Sequence, residues 1–202
     1  MNDFYTSRSE LAKYKSLGML FLTALLVSCA DAPVKPTSSF QLSGRDYLYA
    51  KVSWSFAGRM AVSDNNDSFS ASIAWEHRGR QDKLELAGLF GQGRTLIELT
   101  DNGVVIDNGD ERLQYSGNAD ELISRKVGVD IPVSALKYWV LGLVEPEADY
   151  NELGNGFVQS GWNVMYLQMQ PVGRDDMPRK IRVEQDDVKL KLIINNWDLS
   201  LD

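Results

Sequence analysis

Residues 51–62 read KVSWSFAGRMAV and residues 68–77 read SFSASIAWEH, and these two stretches decide the fold class. In both, apolar side chains alternate with small or polar ones, as in a β-strand that has one buried face. The intervening residues 64–67 read DNND and are typical of a turn. In the second stretch, one face carries Phe69, Ala71, Ile73 and Trp75. The sequence therefore predicts an antiparallel hairpin here.

The same alternation continues along most of the chain. Further strands are predicted over residues 83–87, 94–100, 104–107, 111–115, 156–160, 162–169, 179–185 and 188–194. Turn-forming residues separate or follow them, among them Asp101-Asn102-Gly103, Asn108-Gly109, Asp175-Asp176 and Asp186-Asp187. Short strands with a turn every ~8–12 residues favour an antiparallel meander that curls into a barrel or half-barrel. We therefore predict a mainly β fold with helices.

Two helices interrupt this pattern in the middle of the chain. Asn118 can cap a helix over residues 119–126, and Gly128 can end it. Pro132 then precedes a second predicted helix over residues 133–143. The apolar stripe of this second helix contains Val133, Leu136, Val140 and Leu143, with Trp139 beside it. Both helices are expected to pack on the sheet.

The N-terminus has the pattern of an export signal. Three basic side chains within residues 1–15 precede an apolar run over residues 17–27, too short for a comfortable membrane span. The run ends in Leu26-Val27-Ser28-Cys29, which resembles the lipobox of bacterial lipoproteins and implies lipidation of Cys29. The alternative is a plain signal peptide or an anchor helix with a chance cysteine.

The segment after Cys29 is rich in proline and small polar residues, which is typical of a flexible tether. The predicted organisation is a signal peptide over residues 1–28, a lipidated tether over residues 29–45, and one domain over residues 46–202. In lipoproteins of this kind, aspartate directly after the cysteine favours the inner membrane. Ala30 occupies that position here, so the resemblance implies the periplasmic face of the outer membrane.

The charge balance excludes some classes of partner. The 202 residues carry a net charge of −7. Residues 1–28 hold three basic and two acidic side chains, so the remainder is near −8. An acidic chain is a poor ligand for nucleic acid and for a broad anionic lipid surface. The single cysteine excludes an intramolecular disulfide.

The chain offers little for catalysis or metal binding. His77, the one histidine, follows a strand beside a turn, and no Gly-x-Ser-x-Gly elbow is present. A transition-metal site needs clustered ligands, which the sequence lacks. Gly91-Gln92-Gly93 lacks the lysine of a phosphate loop. We expect no enzyme activity, no catalytic residue, no metal and no cofactor.

What remains is apolar and aromatic. Four of the five tryptophans fall on predicted strands or on the second helix, and Trp197 follows the last predicted strand. All five can either fill a core or line a pocket. The segment 88–93, GLFGQG, places Leu89 and Phe90 in a loop where polar residues are usual. The pair can form an apolar finger that touches a membrane or an acyl chain, or can fold back under the helices. The residues alone leave both choices open.

Several ordered motifs across residues 45–198 resemble the LolB family of outer-membrane lipoprotein receptors. The most specific is the segment 131–143, IPVSALKYWVLGL, with the pattern Pro-x-x-x-Leu-x-x-Trp-x-x-Gly-Leu. The others are FAGRMAV at 56–62, Trp75, GLFGQG at 88–93, ADELI at 119–123, GWNVMY at 161–166, MPRK at 177–180 and LKLIINNW at 190–197.

The resemblance implies a fold and a function. The fold is an incomplete antiparallel β-barrel, a half-barrel that encloses an apolar cavity under an α-helical lid formed by residues 119–127 and 133–143. The function is to accept acylated lipoproteins from the soluble carrier LolA and to insert them among outer-membrane lipids, with no nucleic acid involved and with a monomer as the active form. Candidates for the cavity and lid are Trp54, Phe56, Trp75, Leu136, Trp139, Val140, Leu143, Trp162 and Trp197.

The resemblance also assigns a role to the apolar loop. In the family, a leucine at the tip of this loop is needed for membrane delivery, and the aligned position here is Phe90, with Leu89 beside it. This sequence departs from the commoner Pro-Leu pair, which leaves open which of the two residues matters more. A lipoprotein scaffold without a cavity is the alternative function. A lipid-processing enzyme is disfavoured because no nucleophile–base pair is present.

Overall fold

Alternating apolar and polar residues form one antiparallel sheet in the computed structural model. The model describes residues 39–88, 93–127 and 130–200. The predicted signal peptide, Cys29, Leu89 and Phe90 lie outside the described residues. The strands are β1 Ser53–Ser63, β2 Ser68–Arg78, β3 Gln81–Ala87, β4 Arg94–Thr100, β5 Gly103–Asp107, β6 Arg112–Tyr115, β7 Tyr150–Leu153, β8 Gly156–Gln159, β9 Trp162–Val172, β10 Asp175–Gln185 and β11 Val188–Asp198.

The sheet is open, with β6 at one edge and β7 at the other. The strand order is β6-β5-β4-β3-β2-β1-β11-β10-β9-β8-β7, so β1 pairs with the last strand and joins the two meanders. One face carries the hydrophobic core and the two helices, and the other face is open. This arrangement confirms the predicted fold class, an incomplete antiparallel barrel with a helical cover.

The sequence missed the short strand β7 and the full length of the last hairpins. Strand β7 has four exposed residues and therefore lacks the apolar alternation on which the prediction rested. Asp175 and Asp176 were predicted to lie in a turn, but they begin β10 and pair with Val172 and Pro171. The turn is one step earlier, at residues 173–174, where Gly173 adopts a positive φ of 62°.

A bulge between β1 and β11 sets the position of Trp197. The register shifts between Ala57 and Gly58, so that Phe56 lies opposite Trp197 and Gly58 lies opposite Ile194. The shift reverses the alternation of β11 and turns Trp197 toward the core side. A Cβ atom at Gly58 would lie 2.1 Å from the carbonyl oxygen of Ile193, so only glycine fits here.

Helix α1 spans Ala119–Val127 and helix α2 spans Val133–Trp139. The Asn118 side chain caps α1 by accepting hydrogen bonds from the backbone N–H groups of Asp120 and Glu121, at 2.9 and 3.2 Å. Helix α2 was predicted to reach residue 143, and this is wrong. It ends at Trp139, and residues 140–142 form a turn that closes at Gly142 with a φ of +78°.

Residues 40–45, which the sequence analysis assigned to the C-terminal end of the tether, contact the folded domain. Phe40 is buried and its ring stacks on Tyr166, with 3.9 Å between the ring centroids. Arg45 is also buried, and a 3-10 helix follows at Asp46–Ala50. These contacts place residues 40–45 in the folded domain. Within the described residues, neither helix has the length and apolar character that a membrane span requires.

Candidate functional site

Four of the predicted cavity residues form one aromatic cluster on the core side of β1, β2 and β11. The ring centroids of Trp54 and Trp75 are 5.6 Å apart, and those of Phe56 and Trp197 are 5.2 Å apart. Trp54 and Trp75 are each 2% exposed or less. The indole N–H of Trp75 donates to Asp82 at 2.8 Å. These rings pack on one another as hydrophobic core.

The other predicted residues attach helix α2 and the following turn to the opposite half of the sheet. The indole N–H of Trp139 donates to Oε1 of Gln159 at 2.9 Å, and its ring lies 6.2 Å from that of Trp162. Gln159 also donates to the carbonyl oxygens of Glu145 and Ala148. Buried among the same core are Leu136, Val140 and Leu143. This helix is therefore fixed by packing and by polar contacts together.

Arg45 holds the turn after α2 in place through hydrogen bonds, a role that the sequence analysis did not predict. Its guanidinium donates to the carbonyl oxygens of Leu141 at 2.6 Å and Asp176 at 2.7 Å. Burial lowers the pKa of Arg45, because the charged form loses hydration. A Cβ atom at Gly142 would lie 2.7 Å from its Nε atom, so this glycine gives the side chain its room.

Tyr166, on β9, makes a further hydrogen bond to α2. Its hydroxyl donates to the carbonyl oxygen of Trp139 at 2.8 Å. Burial raises the pKa of Tyr166 well above its usual value, since the phenolate would lose hydration. The nearby charge of Arg45 opposes this shift only in part.

An apolar pocket of about 470 Å³ lies beside this core, between strands β2 to β6 and helix α1. Its apolar lining consists of Phe69, Leu86, Ile97, Ile106, Leu113 and Ile123. Thr95, Asn108 and Glu111 supply polar groups. None of the nine predicted cavity and lid residues lines this pocket. The apolar alternation in β3 to β6 is the sequence signal that indicates this pocket.

Register explains why these side chains converge. Leu86 lies opposite Ile73 and Thr95, and Ile97 lies opposite Leu84 and Ile106. Each residue at such a position projects from the same face as its partner across the ladder. The pleat of β2 to β6 therefore places these apolar side chains on one face, where they form one side of the pocket, and Ile123 of α1 lies on the other side.

Helix α1 contacts α2 through polar side chains. Asp120 accepts a hydrogen bond from the backbone N–H of Ser134 at 2.9 Å and from the Ser134 hydroxyl. It thereby caps α2, whose N-cap Pro132 has no side-chain cap of its own. Ser124 and Asp130 form a second bond between α1 and the α1–α2 connection. The wall of the pocket and the fixed helix are thus connected.

The loop that contains Leu89 and Phe90 begins at the pocket end of the sheet. Ala87 pairs with Arg94, and the N–H of Gly88 donates to the carbonyl oxygen of Gly93 at 3.3 Å. The β5–β6 turn, which supplies Asn108 and Glu111, lies at the same end of its strands. The two predicted delivery residues themselves lie outside the described part of the chain.

His77 has a structural environment. Its Nδ1 atom is 2.8 Å from Asp82, and its ring stacks on Trp54. Asp82 thus binds both the histidine and the indole of Trp75 within the core side of the sheet. Among the described residues, no group of three or more potential ligands is placed to hold a metal ion.

The chain matches a family model described as "Outer membrane lipoprotein LolB" over residues 52–197. This match covers most of the chain. The chain belongs to the LolB family. The LolB resemblance drawn from the motifs is therefore confirmed, and the matched segment spans every strand, both helices and the pocket.

Individual relatives agree with the LolB match. An outer-membrane lipoprotein LolB of Marinomonas sp. (strain MWYL1) is 28% identical over 193 residues, covering 92% of this chain and 98% of the relative. Another, of Chromohalobacter salexigens, is 30% identical over 193 residues, with 91% and 90% covered. Among solved structures, a DUF1329 family protein from Desulfovibrio piger superposes with a TM-score of 0.51 at 9% identity, covering 78% and 90%. That last likeness concerns the fold alone.

Proposed function

We propose that this chain accepts acylated lipoproteins from a soluble periplasmic carrier of the LolA type and releases them into the outer membrane. The observation that carries the proposal is the apolar pocket beneath α1. Six apolar side chains line a space of about 470 Å³ between the sheet and helix α1. An acyl chain is a ligand of matching chemistry. Membership of the LolB family supports the same assignment.

The energetics of acyl chains explain why such a receptor needs no catalytic residue. Each methylene that leaves water contributes about 0.8 kcal/mol, so the chains of one lipoprotein represent tens of kcal/mol of unfavourable exposure. Release into water is therefore extremely slow. A second apolar pocket, presented mouth to mouth with that of the carrier, keeps the chains out of water throughout the transfer.

The predicted aromatic residues fit this proposal in a different role from the one first given to them. The cluster around Trp54 and Trp75 is a rigid floor beside the pocket, and α2 is a fixed support. Helix α1 is the part of the proposed lid that contacts the pocket, through Ile123. The nine candidates thus hold the shape of the receptor, while the side chains of β2 to β6 meet the acyl chain.

The remaining parts of the proposal concern the membrane. Lipidation of Cys29 would hold the domain at the periplasmic face of the outer membrane, where delivery occurs. The loop with Leu89 and Phe90 would enter the lipid, since it starts at the pocket end of β3 and β4. We propose that the receptor acts as a monomer.

The pocket assignment is tested with two neighbouring residues on the edge strand β6. Leu113 lines the pocket, whereas Gln114 points to the opposite face and is exposed. Leu113→Glu places an unpaired carboxylate in the apolar pocket, which costs several kcal/mol when a ligand covers it. We expect this variant to bind a fluorescent fatty-acid analogue at least ~10-fold more weakly. The matched control Gln114→Glu adds the same charge and should bind normally.

Two results would count against the pocket. Unchanged binding by Leu113→Glu would show that the fatty acid sits elsewhere. Absence of any binding by the unmodified chain, or of displacement by acylated lipoprotein, would favour the alternative function, a lipoprotein that scaffolds a protein assembly.

A further inference from the structure

The outer face of the sheet carries positive charge, although the chain as a whole is acidic. Residues 188–194 read VKLKLII. The alternation of β11 buries Leu190 and Leu192 and leaves Lys189 and Lys191 exposed on the outer face. Because the net charge of −7 averages over all faces, it hides this segregation.

Strand pairing extends the positive charge to both neighbours of β11. Ile193 lies opposite Arg59 on β1 and opposite Lys180 on β10, and Lys191 lies opposite Arg182. These cations share one face and are called the convex basic patch, which consists of Arg59, Lys180, Arg182, Lys189 and Lys191. Within this patch, the only ion pair between described residues joins Arg182 to Glu184, with 3.9 Å between Nε and Oε1.

Carboxylates limit the patch but do not neutralise it. Of the acidic side chains on these three strands in the described chain, Glu184 lies beside the patch, whereas Asp175 and Asp176 begin β10 and Asp198 ends β11, away from it. Asp186 and Asp187 lie in the β10–β11 turn, beyond the ends of the strands, and Asp187 accepts a hydrogen bond from the backbone of Asn65. In the described part of the chain, the cations in the middle of the face, Arg59, Lys180 and Lys191, therefore form no ion pair with a carboxylate.

Two large apolar side chains are exposed within the patch. Ile193 is 41% exposed and lies between Arg59 and Lys180 in the register. Leu167 is 47% exposed and is the extra residue where the β9–β10 register shifts beside Lys180. Cations around isolated apolar side chains are typical of surfaces that lie on anionic lipid, where headgroups meet the charges and the apolar groups reach the acyl boundary.

We infer that the convex basic patch rests on an anionic lipid surface and orients the domain there. The first described residue, Ser39, is ten positions after Cys29, a distance of at most about 35 Å for extended chain. A lipid anchor at Cys29 would therefore keep the patch within reach of the bilayer. With this face down, α1, α2 and the pocket face the water, from which a loaded carrier arrives. This inference goes beyond the proposed function, which does not require an orientation.

The test measures how well the patch is shielded in the full lipidated chain, reconstituted into vesicles. One set of vesicles contains phosphatidylethanolamine alone, and the other also contains phosphatidylglycerol. A fluorophore is attached at Leu167→Cys, in the patch, or at Gln114→Cys, on the outer face of β6. We expect phosphatidylglycerol to reduce quenching by an aqueous quencher severalfold at position 167 and not at position 114. High salt should restore quenching at position 167, because it screens the electrostatic attraction between the patch and the anionic lipid.

Charge reversal separates this inference from general adsorption. Each cation near an anionic membrane contributes roughly fivefold to the partition. Reversal by Lys189→Glu with Lys191→Glu should therefore lower the ratio of shielded to exposed protein by at least about 25-fold. Single reversals supply the matched comparison. Lys191→Glu should lower the ratio at least about fivefold, whereas Lys83→Glu, at an exposed lysine on β3 outside the patch, should leave it unchanged. Retained fatty-acid binding in the reversed chain would show that the pocket is independent of the patch.

The outcomes that overturn the inference are distinct from a failure of the pocket. Equal quenching at position 167 in both vesicles, or shielding that survives charge reversal, would exclude a lipid-bound patch. Shielding by loaded carrier in the absence of anionic lipid would make the patch a protein-docking surface and would equally contradict the inference.

Discussion

At the scale of single residues, the most informative side chains are the buried polar ones. Arg45 is held by two backbone carbonyls rather than by a carboxylate, and Tyr166 donates to the last residue of α2. A buried donor that lost its acceptor would cost about 1–3 kcal/mol. These bonds therefore fix α2 and its turn against β9 and β10.

Tyr166 makes stability depend on alkaline pH. In the unfolded chain its hydroxyl ionises near pH 10, whereas burial keeps it protonated in the folded protein. The unfolded state then binds fewer protons, so the free energy of unfolding falls as pH rises above 10, by up to about 1.4 kcal/mol per pH unit. Tyr166→Phe should be less stable by ~1 kcal/mol at neutral pH, yet should lose stability less steeply above pH 10. Urea unfolding across pH measures both.

Tyr47 and Tyr49 also have raised pKa values and contribute to the alkaline loss in both proteins. The difference in slope between the two chains therefore isolates Tyr166. Identical slopes above pH 10 would mean that Tyr166 is hydrated.

Some of these residue environments follow from the sequence and others do not. The burial of Trp54, Trp75 and Trp139 follows from alternation and from the apolar stripe. The role of Arg45 does not, because its partners are 96 and 131 positions away and its flanking residues have the composition of a tether. Only the three-dimensional pairing of β10 with the turn after α2 brings them together.

At the scale of elements, strands β2 to β6 and helix α1 line the pocket. The period-two alternation predicted β1 to β6 and β8 to β11, and caps predicted the start of α1. The early end of α2 escaped prediction, because its apolar stripe continues into a turn whose backbone is set by Gly142 and Arg45. The pocket was not predicted either. Alternation shows which face of a strand is apolar, but only the three-dimensional packing decides where a space remains between the side chains.

Charge substitution tests the proposed role of the β3–β4 loop in delivery. Phe90→Glu places a carboxylate where we propose contact with acyl chains in the bilayer, at a cost of several kcal/mol on insertion. We expect the variant to accept cargo normally and to deliver it to liposomes at least ~10-fold more slowly. Gln92→Glu, in the same loop, adds the same charge at a polar position and should deliver normally. Comparison with Leu89→Glu identifies which apolar residue matters more.

Delivery at the normal rate by both Phe90→Glu and Leu89→Glu would reject the apolar finger. That result would favour the alternative from the sequence analysis, in which the loop folds back under the helices.

At the scale of the whole molecule, the sheet of the described chain is open, with β6 and β7 at its edges. Eleven strands curl around a core on one side of the centre and leave apolar space on the other. The sequence predicted this architecture through alternation and through the family motifs. It did not predict that the pocket, which we propose as the acyl-chain site, lies between β2–β6 and α1, apart from the buried tryptophans.

The transfer of cargo from a loaded carrier tests the account most directly. Lipoprotein bound to a LolA-type carrier is mixed with a form of this chain that lacks Cys29, and the cargo on each protein is measured after separation. We expect cargo to move to this chain without nucleotide. Gln114→Glu should accept it normally, and Leu113→Glu should accept it poorly. Cargo that stays entirely on the carrier would contradict the account.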